Sequence, residues 1–197
     1  MKKLVFIDIE TTGLISGYHE IIEVAIISDN FVYHKKIKPL RLELADPKAL
    51  AINRYTSKEW RYAIEPRLAA LEISAILKNC IIVGHNPNFD MDFITELLDK
   101  YDEPCLFERR YLDTITLAYE HLNPLGIESM SLDSCRRFFG WSNKNSHTAL
   151  QDAKDCKRLF YTLLRANRIK RWSWIIGPRL TSLIMLWRHK KICYKTT

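Results

Sequence analysis

The sequence predicts an α/β domain, a mixed sheet flanked by helices, and three observations carry that reading. Two apolar, partly β-branched runs, Leu4 to Ile9 and Ile21 to Ile27, come first, and Phe31 to Ile37 makes a third. Beyond residue 46 the pattern changes to helical periodicities, which alternate with one more strand-length run at Ile81 to Val83. Hydrophobic residues make up 47% of the 197, enough to bury a core and to exclude disordered, collagen-like and small disulfide-held chains.

The elements follow in order. Gly13 and Gly17 mark the turn between the first two runs, and Asp29-Asn30 tolerates the backbone of a tight turn, which suggests a hairpin into the third. Asp46-Pro47 reads as a helix cap with proline at the first position, and Glu65-Pro66 opens a longer helix through Leu68, Leu71 and Ile76. Asn88 is the expected cap of an amphipathic helix bearing Phe89, Phe93, Ile94, Leu97 and Leu98. Tyr111-Leu112 closes a short strand, Asp113 or Thr114 caps a helix to His121, and Asn123-Pro124 stops it. Ser131 and Gly140 bracket a further short helix. Thr148 and Gln151 have the spacing of a capping box, which opens the last strong helix through Leu159 and Leu163.

The net charge of +7 is not spread evenly. Residues 166–197 hold eight Lys or Arg and no acid, so this stretch carries +8 and the remainder −1. The chain is therefore expected to divide into a neutral body, 1–165, and a short basic, Trp-rich C-terminal extension, 166–197. Within the extension, Gly177-Pro178 can start a helix striped by Leu180, Leu183, Ile184 and Trp187, too short and too interrupted by Arg179 to span a membrane. Phosphate contacts and aromatic stacking with nucleic acid are one use for it; docking to another protein, lying on a membrane surface, or folding back on the body are rivals. The five cysteines are scattered, with no Cys-x-x-Cys pair, and read as free thiols. Asp8 and Glu10 interrupt the first apolar run before a signal sequence could form, so a cytoplasmic location is expected.

Those same two residues carry the first chemical signal. Two apart on a strand, their carboxylates project from one face, roughly 7 Å apart along the chain. Like charges within a sheet repel and lose hydration unless a cation sits between them, and an all-oxygen set suits a hard divalent ion such as Mg²⁺ or Mn²⁺. An exposed strand end is the bland alternative. Asp90 and Asp152 each fall in the first turn of an expected helix, where the dipole favours any carboxylate, so each alone fits either role. Asp92 reads as structural. His147 lies just outside the last helix, where an imidazole can accept a proton near neutral pH if it can swing inward. His85 suits hydrogen bonding, and His19, His34, His121 and His189 read as surface residues. Thr11, Thr12 and Gly13 leave the first strand in a turn that is either ordinary or able to approach a phosphate or 3′-hydroxyl.

The segments FIDIETTGL (Phe6 to Leu14), VGHNPNFDMDFI (Val83 to Ile94) and HTALQDAKD (His147 to Asp155) resemble, in order and spacing, the three motifs of the DEDDh (DnaQ-like) exonuclease family, which includes proofreading polymerase subunits, oligoribonuclease and ribonuclease T. The match spans about residues 4 to 165. The resemblance implies a ribonuclease-H-like fold and a hydrolase that removes nucleoside 5′-monophosphates from single-stranded DNA or RNA 3′ ends with two Mg²⁺ or Mn²⁺ ions. It implies Asp8, Glu10, Asp90 and Asp152 as metal ligands and His147 as general base. Thr11, Thr12, Gly13, Leu14 and Phe89 would meet the terminal nucleotide. Either an autonomous enzyme or a proofreading subunit attached to a polymerase through 166–197 satisfies this pattern, and intact signature positions argue against a vestigial nuclease. The choice between DNA and RNA is not written in these motifs.

Overall fold

A computed structural model describes residues 2–144 and 146–166. The helix expected after Gly177-Pro178, with its tryptophans and basic side, lies outside the described residues. The first strand, β1 (Lys3–Thr11), is the middle of a five-stranded mixed sheet. On one side it pairs antiparallel with β2 (Ile21–Ile27), which pairs antiparallel with β3 (Val32–Lys36) in the expected hairpin. On the other side it pairs in parallel with β4 (Cys80–Gly84), followed by the two-residue β5 (Leu112–Asp113), so the order is β3-β2-β1-β4-β5.

Six α-helices are described: α1 (Pro47–Ile52), α2 (Pro66–Leu77), α3 (Pro87–Lys100), α4 (Thr114–Leu122), α5 (Leu132–Phe139) and α6 (Ala149–Leu164). Alternation along β1 sorts its two faces. Val5, Ile7 and Ile9 join Ile73, Leu77, Ile94 and Leu98 of α2 and α3 in the larger core cluster. Phe6, from the opposite face, joins Ala25, Ile27 and Val83 beneath Ala149, Ala153, Cys156 and Phe160 of α6. A third cluster ties α4 and α5 to α6 through Leu122, Cys135, Leu159 and Leu163. Cys80, Cys105, Cys135 and Cys156 are free thiols, as expected; Cys193 lies outside the described residues.

Three local expectations need correction. In α2 the buried face is Ala69, Ala70, Ile73, Ser74 and Leu77, whereas Leu68 and Leu71 are exposed. The small alanines let the helix lie close on the sheet, so the bulkier leucines are turned away. Helix α3 begins one residue before Asn88, because Pro87 is pre-set for the first helical position and Asn86 precedes it as the cap in a left-handed conformation, φ 71°. Thr148 does sit at the N-cap of α6 in an extended conformation, but its side chain makes no cap hydrogen bond. The other caps fall where the residue types place them: Asp46 accepts from the Lys48 amide, Asp113 from Ile115 and Ser131 from Ser134.

Candidate active site

The site lies where β1 runs out from between its neighbours. Parallel pairing with β4 ends at Phe6 and Val83, and a Cβ on Gly84 would meet the Pro87 ring at 2.7 Å. Glycine there lets α3 start hard against the strand end. That close approach brings Asp90, in the first turn of α3 and 5% exposed, to the open edge of β1, where its Oδ1 accepts the Ile9 amide at 3.0 Å. Asp8 and Glu10 point from the other face toward α6, as alternation requires. There one oxygen each from Asp8, Glu10 and Asp152 lies within 4.8 Å of the others. Asp90 stands beside this trio, and its charge acts on both Asp8 and Glu10.

The electrostatics are those of crowded acids that Arg136 compensates only in part. Burial, then the charges of Asp90, Asp152 and Glu10, hold the Asp8 carboxyl well above the usual carboxylate range. Burial first, then Asp152, Glu23 and Asp90, push Glu10 up to about 8. Asp90 is raised to about 8, mainly by burial and against the pull of the Ile9 amide. Asp152 is also raised by burial, opposed by Arg136. Oxygens alone, close together and short of positive charge, form the donor set that a hard divalent ion fits.

This crowding sets the pH dependence of stability. A carboxyl whose folded pKa lies above its unfolded value binds more protons in the fold, so stability is greatest at low pH and is lost as pH rises through the folded value. With Glu10 moved from 4.5 to about 8, the Tm in EDTA is expected to fall between about pH 5 and 8, and Mn²⁺ to remove most of that slope. Differential scanning fluorimetry checks it. A flat profile in EDTA would contradict the crowding.

His147 precedes α6 with φ at +62°, a backbone conformation that a side chain rarely adopts and that strained functional segments favour. Its side chain is 47% exposed, with Nε2 3.7 Å from Asp133 Oδ2. Thr11 and Thr12 are buried and committed within the turn: the Thr11 hydroxyl donates to the Gly13 carbonyl at 2.5 Å, and the Thr12 hydroxyl accepts the Glu20 amide at 2.9 Å. Gly13 is packed beneath the His19 ring, where a Cβ would come within 2.3 Å. Leu14 stands out of this turn 77% exposed, while Phe89 packs at 5.0 Å from Phe93 at the edge of the core.

Several polar residues escaped the sequence reading. Arg136 is fully buried and pairs with Asp133, Asp152 and Asp155. Asp152 and Asp155 are three apart on one helix face, as are Asp133 and Arg136, and that double spacing was the available signal. Glu23, 4% exposed, lies opposite Glu10 in register and bonds to His34 at 2.7 Å. His34 is exposed, as expected, though tied to Glu23, and His19 is half-buried, its Nδ1 accepting the Ile15 amide. His85 behaves as expected: Nε2 donates to the Met130 carbonyl at 2.7 Å and Nδ1 faces the Thr114 hydroxyl at 2.8 Å. Beside Glu23 opens a groove of about 450 Å³ whose lining includes Lys36, Arg54 and Lys154.

Comparison with known proteins gives a consistent result. A family model described as Exonuclease matches residues 5–160. The chain is 36% identical over 163 residues to a DNA polymerase III PolC-type of Thermotoga petrophila, covering 79% of this chain and 11% of that one. It is 28% identical to ribonuclease T of a Shewanella species, covering 85% of this chain and 84% of the relative. DNA polymerase III subunit epsilon of Treponema pallidum is also 28% identical, over 80% of this chain and 74% of the relative. The chain thus spans only about a tenth of the PolC-type polymerases it matches. Among solved structures, E. coli exonuclease I in complex with a dA16 oligonucleotide has the same fold, with a TM-score of 0.71 at 19% identity over 88% of this chain and 43% of that one.

Proposed function

Because the chain belongs to the exonuclease family across residues 5–160, we propose that it is a metal-dependent 3′→5′ exonuclease that releases nucleoside 5′-monophosphates from single-stranded ends by a two-metal-ion route. The observation that carries this reading is the trio of oxygens from Asp8, Glu10 and Asp152 gathered within 4.8 Å. Those three residues and Asp90 would hold two Mg²⁺ or Mn²⁺ ions. Bound there, the ions supply an activated water and neutralise charge on the leaving oxygen.

The remaining work falls to the chain. His147, exposed on its turn, takes the proton of the attacking water. Leu14 offers a bare apolar surface to the terminal nucleotide, which Phe89 also meets, and the backbone of Thr11, Thr12 and Gly13 borders the sugar. The groove bearing Lys36, Arg54 and Lys154 receives the phosphates of the strand upstream. Among the described residues no helix is long and apolar enough to cross a membrane.

The test is digestion of DNA and RNA oligonucleotides labelled at either end, with Mg²⁺, Mn²⁺ or EDTA. A 5′-labelled single strand should shorten one nucleotide at a time when metal is present and stay intact in EDTA. Internal cuts, shortening from the 5′ end, or undiminished activity in EDTA would each refute the reading. A second reading, a proofreading subunit of a polymerase, is favoured by the polymerase relatives. It expects capture of a replicative polymerase by the full chain and its loss when residues 167–197 are removed.

A further inference from the structure

Beside the acidic trio lies a cation for which the proposed reaction has no use. Arg136, on α5, is 0% exposed, the largest fully buried side chain among the described residues. Its guanidinium donates from Nη1 to Asp133 Oδ1 at 2.6 Å, from Nη2 to Asp152 Oδ1 at 2.6 Å and from Nε to Asp155 Oδ2 at 2.8 Å. A guanidinium is tolerated in the interior only when paired and hydrogen-bonded. By charge it needs one carboxylate. Asp133 and Asp155, which stand outside the trio, already exceed that need. The remaining bond goes to Asp152 and occupies one of its two oxygens.

We propose that Arg136 is a positioning residue that makes Asp152 a one-oxygen ligand. By holding Oδ1 it leaves Oδ2 alone for a cation, and by gripping Asp155 one turn onward it fixes the first turns of α6 against α5. The planar fork of arginine can bond two carboxylates along one helix face, which the point charge of lysine cannot do. Ion selectivity follows. Mg²⁺ and Mn²⁺ favour octahedral sites with carboxylates bound through one oxygen, whereas Ca²⁺ takes more oxygens and accepts both from one carboxylate. The clamp therefore favours the smaller ions, an inference that rests on the metal reading above.

The experiment is calorimetric titration of the full chain with Mn²⁺ and with Ca²⁺, without nucleic acid, for the wild type, Arg136→Gln and Arg136→Lys. The preference for Mn²⁺ over Ca²⁺ should fall by about 10-fold or more in both variants, the usual scale for losing a residue that orients a ligand. Turnover of a short oligonucleotide at saturating Mn²⁺ should fall by about 10- to 100-fold, with KM nearly unchanged. If Arg136→Gln does not fold, Arg136→Lys, which keeps the buried charge, carries the same measurement. A lowered Tm with the wild-type ion preference intact would overturn the proposal and leave Arg136 a fold residue. A wild-type chain that binds no Mn²⁺ would overturn the metal reading itself.

Discussion

Replacing Asp8 with alanine is expected to reduce turnover by at least about 10³-fold while raising the Tm measured in EDTA at pH 8. The first effect follows from its place: Asp8 belongs to the trio with Glu10 and Asp152 and also feels the charge of Asp90, so under the proposed ligand set it serves both ions. Losing several kcal/mol of charge stabilisation in the transition state, at about 1.4 kcal/mol per tenfold, gives that scale. The second effect follows from repulsion. A carboxyl held well above its ordinary range by burial and by three neighbouring acids is a burden on the fold at pH 8, and alanine removes it. The two readouts move in opposite directions, which a damaged fold cannot imitate. Loss of activity together with a lowered Tm in EDTA would mean that Asp8 is structural, and near-normal activity would end the two-metal assignment.

His147→Ala is expected to lower the chemical rate by about 10²- to 10⁴-fold, the range for a positioned general base, with Mn²⁺ affinity largely kept. The backbone helps to interpret the result. At φ +62° histidine is among the better tolerated side chains, so alanine removes the imidazole and adds a small backbone cost that a Tm measurement registers separately from the rate. His147→Gly should be equally slow but more stable, because glycine adopts that conformation freely. Single-turnover kinetics beside calorimetric Mn²⁺ titration separates the possibilities. An unchanged saturated rate with weakened Mn²⁺ binding would make His147 a ligand instead.

The elements were legible where local rules act alone, whereas Asp90, Asp152 and His147 stood out only through the resemblance. Alternation placed Asp8 and Glu10 on one face, and the structure has them there, under α6. Caps followed residue type at Asp46, Asp113 and Ser131. Asn88 misled because Asn is a good cap in general, but Pro87 beside it claims the first helical position. Arg136 was illegible for a different reason. Its neighbours in sequence, Arg137 and Asp133, are of the kind that decorates a solvated helix, and only tertiary packing shows that one of the two arginines points inward to meet Asp152 and Asp155 of another helix. Leu68 and Leu71 failed likewise: helical periodicity marks a stripe, and the sheet chose the alanine stripe beside it.

Among the attachments of helix α6 to the rest of the protein, two meet at the site. Ala149, Ala153, Cys156 and Phe160 seal one apolar face of the sheet, and Asp152, on the same helix, completes the acidic trio. Under the proposed ligand set, sealing the sheet and forming the metal site are therefore one equilibrium. A local opening that lifts the start of α6 would carry Asp152 away, and a bound ion resists that opening by about 2.7 kcal/mol when its concentration is 100-fold above its dissociation constant. Metal concentration would thus govern how often the amides of α6 exchange with solvent. A protein starved of divalent ions would be not merely idle but partly unlatched, and more open to proteases along that helix.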